Sequence, residues 1–432
     1  MHRERNRLCY ELLMQVFRDN AYASVALNAA LSDCDPKDKA YVTRLFYGVL
    51  ERNVYYEYVL ARFAEEKPKK SVATLVKMGY YLLERTSIPP YAAVNATVAL
   101  CKQVGKSGAA GFVNAALRAF APPPLPREDT AEYLSVVYSY PLWLCELLIA
   151  DHGYEFTKSM LSHVPEHRTH IRVNAASITP EAFENAYCRG HMPEDGASGA
   201  QAITPTPFGY YVPRKLLENI PDALYAVQSV ASIAAVYAYI YGLPPIREAL
   251  DLCAAPGGKA VLLALKTGAN VTACDIHAHR VEMIRKYAFR CDARVSAQRN
   301  DATVLRADWE RKFDLVVCDV PCSGIGVAGS KPDVLFNRSE ADIDSLAEVQ
   351  AKILETAARY VKTGGRLCYS TCTVLKRENT DVVRAFLRRH PEFSPVKVTT
   401  PLGGAEREEI CLFPHVDGTD GFYVAVLTKN RE

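Results

Sequence analysis

Two cysteines stand at the ends of two β-rich segments. Leu315 to Asp319 runs into Asp319-Val320-Pro321-Cys322-Ser323-Gly324-Ile325-Gly326, and Arg366 to Thr371 runs through Tyr369-Ser370-Thr371 into Cys372-Thr373. If these are the fourth and fifth strands of a doubly wound sheet with order 3-2-1-4-5, strands 1, 4 and 5 are neighbours. Both thiols then face each other beyond the carboxyl ends, where such sheets hold ligands. A facing pair suits methylation of a pyrimidine at C5. That carbon is a poor nucleophile in the intact ring, but a thiolate added at C6 turns it into an enamine carbon able to attack a sulfonium methyl group. The attacking thiol must ionise readily, which calls for a polar, partly electropositive site. A carboxyl group at Asp319 can balance charge at N3, and a second thiol can assist when the first leaves. The base must also leave its stack. Two other readings stand beside this one. Cysteine is often a small buried residue, and Cys318 with Cys322, Cys368 with Cys372, imitate a four-cysteine zinc site. Cys318 and Cys368 fall inside apolar strands while Cys322 and Cys372 fall in turns, so no metal is expected.

The loop Cys253-Ala254-Ala255-Pro256-Gly257-Gly258-Lys259 follows the first β-rich segment and opens a helical pattern. Small residues and paired glycines there let the backbone approach a ligand closely at a helix N-terminus. The pattern is neither GxGxxG nor GxxxxGK[ST], which weakens dinucleotides and nucleoside triphosphates as ligands. Asp275, ending the second segment, can accept hydrogen bonds from both hydroxyls of a ribose. Asp301, after the third, can accept from an adenine amino group. With Asp319, these acidic strand ends point to a nucleoside-containing ligand such as S-adenosyl-L-methionine.

The elements that must position these residues are legible in outline. Ala249 to Cys253, Val271 to Asp275, Val295 to Gln298, Leu315 to Asp319 and Arg366 to Thr371 alternate with helix-length stretches, which predicts a parallel, doubly wound, Rossmann-like α/β sheet over 244–432. Residues 1–121 read as all-helical: in Ala40 to Phe63, Val42, Leu45, Phe46, Val49, Val59 and Leu60 recur at helical spacing and predict one buried stripe. The run Pro122-Pro123-Pro124-Leu125-Pro126 opens a stiff linker, 122–139. Residues 140–243 read as a small α/β connector, with helices over Trp143 to His152 and Tyr225 to Tyr241 and short strands at Ile171-Arg172-Val173 and Gly209 to Val212. His163, His167 and His170 lie close together there, but Pro165 interrupts any helix that would align them. They read as solvated surface histidines rather than ligands.

Composition bounds the rest. The 432 residues are 49% hydrophobic and 23% charged, an ordinary globular balance. No apolar run approaches the ~18–20 residues of a membrane helix. The opening MHRERNRLCYELLMQVF lacks the apolar core of an export signal, so a cytoplasmic location is expected. The 13 cysteines, an odd number, then read as thiols rather than a disulfide framework. Net charge is only +2, yet residues 1–122 hold 17 Lys and Arg against 11 Asp and Glu. A basic helical third suits an RNA-binding appendage as well as a solvated surface.

Several motifs together carry a resemblance. LDLCAAPGGK (250–259), DVPCSGIG (319–326), KPD (331–333), YSTCT (369–373) with Glu378-Asn379, and DGTDGFYVA (417–425) resemble the RNA 5-methylcytosine methyltransferases. YVTRLFYGVLER (41–52), IPPYAAVNATVALCK (88–102) and GFVNAALRAF (111–120) resemble the NusB-type RNA-binding domain that is fused to the catalytic one in the Sun/RsmB group. The resemblance implies an S-adenosyl-L-methionine-dependent enzyme acting on small-subunit rRNA. It implies Cys372 as nucleophile, Cys322 as the thiol aiding product release, and Cys253 to Lys259, Asp275, Asp301 and Asp319 around the cofactor. DNA cytosine-5 methyltransferases instead use the cysteine after proline. A tRNA methyltransferase and a non-catalytic RNA-binding factor on the same fold are the rival readings. Two positions depart from the family pattern: Ser229 stands where an aspartate commonly follows the glutamine, and Ala260 where a hydroxyl residue commonly follows the lysine.

Overall fold

From Ala73 to Leu82 every residue of one helix is buried, the mark of a helix enclosed on all sides by others. The computed structural model describes residues 2–32, 34–164, 169–192 and 202–430. They form two units, one of Met1–His163 with Ala328–Glu340 and one of Val164–Val327 with Ala341–Glu432. The first unit is helical: α1 (His2–Asp19), α2 (Ala23–Leu31), α3 (Pro36–Glu51), α4 (Asn53–Phe63), α5 (Lys70–Arg85), α6 (Pro90–Gln103), α7 (Ala110–Arg118), α8 (Ala131–Tyr138), α9 (Leu142–His152) and α10 (Tyr154–Ser162). The enclosed helix is α5, and its buried Lys77 is tolerated because Nζ donates to Asn53 Oδ1 and, at 2.7 Å, to Glu57 Oε1.

The single stripe expected over Ala40 to Phe63 is two helices. The six apolar residues are all buried, but the chain turns at Arg52. The fresh start of α4 is satisfied from elsewhere: Ser139 Oγ accepts the N–H groups of Val54 (3.0 Å) and Tyr55 (3.3 Å). A second distant cap closes α2, whose Ala23 N–H donates to the buried Asp333 Oδ2 at 3.2 Å. The Asp of the KPD motif thus serves a helix that begins 310 residues earlier, and Phe336 packs edge-on against Phe17. Pro122 to Pro126 has no regular structure, whereas α8 forms inside the segment 122–139.

The second unit begins with an antiparallel sheet of β1 (Thr169–Val173), β2 (Thr204–Thr206), β3 (Gly209–Val212) and β4 (Tyr225–Val227), in order β2-β3-β1-β4. Short helices α11 (Pro180–Phe183) and α12 (Arg214–Leu217) flank it. Tyr225 to Tyr241 is therefore not one helix. Tyr225 to Val227 pairs with β1, and α13 (Val230–Ile240) starts only at Ser229, whose Oγ accepts the Ser232 N–H. His170 also departs from expectation. It is buried, with Nδ1 2.7 Å from Gln228 O and Nε2 2.9 Å from Thr206 Oγ1, and burial lowers its pKa to about 4. It is a core residue; His163 is exposed, and His167 lies outside the described residues.

The large sheet contains β5 (Glu248–Asp251), β6 (Asn270–Asp275), β7 (Val295–Arg299), β8 (Phe313–Asp319) and β9 (Val361–Thr371), all parallel, in order β7-β6-β5-β8-β9. This is the 3-2-1-4-5 order. Beyond β9 run β14 (Phe422–Lys429), antiparallel, and then β10 (Phe393–Pro395) and β13 (Glu409–Leu412), both paired with β14. A separate ribbon joins β11 (Val398–Thr400) to β12 (Gly403–Arg407). Helices α14 (Gly258–Thr267), α15 (Ala278–Arg290), α16 (Glu340–Tyr360) and α17 (Thr380–Arg389), with the short α18 (Pro414–Asp417), complete the fold. Both faces of the sheet are covered, as a parallel sheet requires. Leu315 and Val317 face one apolar cluster with α13 and α14, while Val316 and Cys318 face another with α16 and α17.

Candidate active site

The switch point lies between β5 and β8, where the strand order reverses. Parallel pairing sets Asp319 beside Ser370, so the chain leaving β8 and the chain leaving β9 start their turns level with each other. Three residues past Asp319 and two past Ser370, Cys322 Sγ and Cys372 Sγ stand 3.2 Å apart. The Cys372 N–H also points at Cys322 Sγ, at 3.3 Å. Cys318 and Cys368 lie on opposite faces of the sheet, each in an apolar cluster, so they cannot join the pair in one four-sulfur site.

Three motifs distant in sequence hold the two turns together. Gly326 N–H donates to Cys372 O at 3.0 Å, and Gly421 N–H donates to Gly326 O at 2.8 Å. A Cβ on Gly326 would stand 2.1 Å from Gly421 O, so only glycine permits this approach. Beneath them Glu378 is fully buried. Its Oε1 accepts the Ser323 N–H (2.8 Å) and the Gln350 amide (2.9 Å), and its Oε2 accepts the Ser323 hydroxyl (2.5 Å). Gln350 donates as well to Pro321 O at 3.0 Å. The next residue, Asn379, accepts from the Thr371 hydroxyl (2.5 Å) and donates to Thr373 O (3.0 Å). Both cysteine turns are thus fixed by side chains that touch no sulfur.

A line of polar groups reaches Asp319 from below. The Tyr239 hydroxyl donates to Ser370 Oγ (2.6 Å), Ser370 donates to Asp319 Oδ1 (2.7 Å), and Lys259 Nζ stands 2.7 Å from Asp319 Oδ2. Burial raises the Tyr239 phenol well above its ordinary value, so it remains a donor. Burial opposes the charge on Lys259, but Asp319 outweighs it and the ammonium is held more firmly than usual. The hydrogen bond with Cys372, then burial, raise the Cys322 thiol well above its usual value. Cys322 is therefore held as a thiol.

The loop after β5 has the shape expected for close approach. Gly257 has φ +112°, and a Cβ there would lie 3.3 Å from Ile284 Cα and from the Tyr287 ring. Gly258 rests against the Gln228 carboxamide, and α14 starts at once. Asp275 is buried at the end of β6; its Oδ1 accepts the His277 N–H (2.9 Å) and its Oδ2 pairs with Arg280 (3.1 Å). Asp301 is exposed, with Oδ1 held by the Thr303 N–H and hydroxyl at 2.9 and 2.7 Å. Those bonds hold its carboxyl below the usual range. Beside them Asn300, whose N–H donates to Asp275 O, has a buried Nδ2 without a hydrogen-bond partner among the described residues. A buried donor left open between two acidic strand ends fits a nucleoside, which carries acceptors for it and hydroxyl donors for the acids. These residues therefore suit S-adenosyl-L-methionine. Of the two departures, Ser229 caps α13 as an aspartate would, and Ala260 is buried in the core beside α13.

Sequence reasoning singled out neither Tyr239, Ser370 and Gln350 nor Asp251. Tyr239 sits in an apolar helix with nothing to mark it. Asp251, at the end of β5, has a carboxyl pushed up to about 7 by burial and by Asp319. Below about pH 4 both folded and unfolded chains hold this proton. Between about 4 and 7 only the folded chain does, so stability falls as pH rises through that window, by on the order of 2–4 kcal/mol. Asp251→Asn keeps an acceptor for the Cys253 N–H without the buried charge. Its melting temperature without ligand should exceed the wild type's by a margin that widens from pH 5 to pH 8. A constant offset would contradict this account.

The family described as 16S rRNA methyltransferase RsmB/F matches residues 243–428, and the NusB family matches residues 3–122. A probable ribosomal RNA small subunit methyltransferase B of Bacillus subtilis (strain 168) is 30% identical over 98% of each chain. The ribosomal RNA small subunit methyltransferase B of Xanthomonas campestris pv. campestris is 32% identical over 97% of this chain and 95% of its own. Among solved structures, that of PH0851 superposes with a TM-score of 0.78 at 23% identity, over 98% of this chain and 99% of that one. NSun6 from Pyrococcus horikoshii with SFG superposes with a TM-score of 0.53 at 17% identity, over 71% and 99%. These two likenesses show the fold. With its S-adenosyl-L-methionine-type loop and its NusB-type helices, the chain belongs to the ribosomal RNA small subunit methyltransferase B family.

Proposed function

We propose that this chain transfers a methyl group from S-adenosyl-L-methionine to C5 of a cytosine in small-subunit rRNA, in the cytoplasm, through a covalent Cys372–C6 adduct. The observation that carries the reading is the thiol pair, 3.2 Å apart beside the Asp319–Lys259 ion pair at the switch point. Cys253 to Lys259, Asp275 and Asp301 would hold the methyl donor, which supplies an electrophilic methyl group on a sulfonium.

The sulfur of Cys372 attacks C6 of an unstacked cytosine, forming an S–C bond and moving ring electrons toward C5 and N3. N3 takes up the proton that Cys372 gives up, and Asp319, held by Ser370 and Lys259, accepts a hydrogen bond from the N3–H. The Lys259 ammonium is also within electrostatic reach of Cys372 and favours negative charge on that sulfur. Once C5 has taken the methyl group it loses its proton to water. The electron pair left behind expels Cys372 as the S–C6 bond breaks, and Cys322 donates a hydrogen bond to the departing thiolate. The helical residues 1–121, with the connector 140–243, contribute phosphate contacts that orient the RNA.

The test is transfer of labelled methyl from S-adenosyl-L-methionine to naked and subunit-bound small-subunit rRNA, with nucleosides identified after digestion. Label in 5-methylcytidine is expected. Label in another nucleoside, or on tRNA alone, would overturn the assignment. No transfer to any RNA would favour a binding factor.

A further inference from the structure

We propose that a cavity in the helical unit, formed where α6 begins and α7 ends, is a second nucleobase site that takes an unstacked base of the same rRNA. This rests on the reading above that the chain acts on rRNA. The cavity measures about 490 Å³, within the ~300–1,000 Å³ of pockets that hold small organic groups. Its floor is apolar: Val94 and Leu117 are buried, and Phe120 is stacked on Tyr80 with ring centroids 4.6 Å apart. Three of its four exposed lining residues are of a different kind. Tyr91 is 73% exposed, and Asn95 and Arg118 are exposed beside it.

An aromatic face, a carboxamide and a guanidinium are the set that single-stranded RNA recognition uses. The ring stacks on a base, the amide reads its edge, and the cation meets a neighbouring phosphate. The charge around the cavity selects the same occupant. From Arg85 to Arg127 the sequence contains no Asp or Glu, while Arg85, Lys102, Lys106, Arg118 and Arg127 are all basic. No carboxylate lines the cavity among the described residues, and Arg118 Nε hydrogen-bonds the neutral Asn114 carboxamide at 3.3 Å. The two helical motifs noted in the sequence, 88–102 and 111–120, supply all but one of the lining residues. They converge on a polyanion's binding chemistry without Tyr91, Asn95 or Arg118 being needed to fill the core.

The experiment uses the full chain, with anisotropy for binding of a small-subunit rRNA fragment and steady-state methyl transfer to it. Tyr91→Ala should raise Kd and KM for RNA by about 5- to 100-fold, the range for loss of one base stack. It should leave kcat at saturating RNA and the affinity for S-adenosyl-L-methionine unchanged, and Tyr91→Phe should restore binding. Arg118→Ala should weaken binding and lower the slope of log K against log salt by about one. If the wild type methylates rRNA and Tyr91→Ala and Arg118→Ala both bind as tightly as it does, the site is overturned and the function stands. If Tyr91→Ala is impaired on subunits but not on naked RNA, the cavity takes a protein segment, which overturns the proposal. If the wild type neither binds nor methylates rRNA, the function reading falls, and this site with it.

Discussion

Cys372→Ala is expected to lower methyl transfer by at least ~10⁴-fold, because removing a nucleophile that acts with its partners as a unit removes nearly all turnover. RNA and methyl-donor binding should survive, since Cys372 anchors its turn through backbone groups: its carbonyl accepts from Gly326 and its N–H points at Cys322. Cys322→Ala should behave differently. The first S–C6 bond still forms, but the sulfur that must leave has lost the thiol 3.2 Å away. Turnover should fall by about 10²–10⁴-fold, the usual worth of a positioned proton donor, and a protein–RNA adduct that survives denaturation should accumulate. Gel electrophoresis under denaturing conditions reads this directly. The adduct should be absent from Cys372→Ala and from the double variant. An adduct that forms in Cys372→Ala and not in Cys322→Ala would exchange the two roles.

Glu378→Ala should be the most destabilising single change at the site. The carboxylate accepts three hydrogen bonds while fully buried, two from Ser323 and one from Gln350. Its loss strands a backbone N–H, a hydroxyl and an amide away from water, and stranded donors of this kind cost about 1–3 kcal/mol each. Neighbouring groups share some partners, since the Ser323 hydroxyl also meets Thr373 and Gln350 also reaches Pro321. A net loss of about 3–5 kcal/mol is therefore expected in denaturant unfolding. Glu378→Gln keeps the shape but turns one acceptor into a donor that faces Ser323, and should cost about 1–3 kcal/mol. Because Ser323 follows Cys322, both variants should lower turnover more than they lower affinity for the methyl donor. Wild-type stability in Glu378→Ala would show that the two turns are held by the backbone contacts through Gly326 alone.

Much of the catalytic half could be read without coordinates, for a simple reason. In a parallel α/β sheet the side chains at strand ends carry the chemistry, and a strand end announces itself where a β-rich segment meets glycine, proline or aspartate. Asp275, Asp319, Cys322 and Cys372 were located that way, and the facing of the two thiols followed from one rule about strand order. The reading weakened wherever a neighbour distant in sequence overrode a local pattern. Val42 through Leu60 kept helical spacing, yet the chain broke at Arg52 because Ser139 offered a cap to the helix that follows. His170 looked like one of three surface histidines until Tyr211 of β3, Gln228 and Thr206 enclosed it.

The sequence by itself determined the fold class and the places of the glycine loop and the two cysteines at strand ends, because each depends on residues adjacent in the chain. Only the tertiary structure decided how those residues are charged and held. That Cys322 keeps its proton depends on a sulfur 50 residues away. That Asp251 titrates near neutrality depends on burial and on Asp319. That both cysteine turns are anchored depends on Glu378, Gln350 and Gly421, and that Asp319 is oriented depends on Tyr239 through Ser370. Electrostatic energies and hydrogen bonds act over a few ångströms of space, whatever the separation along the chain.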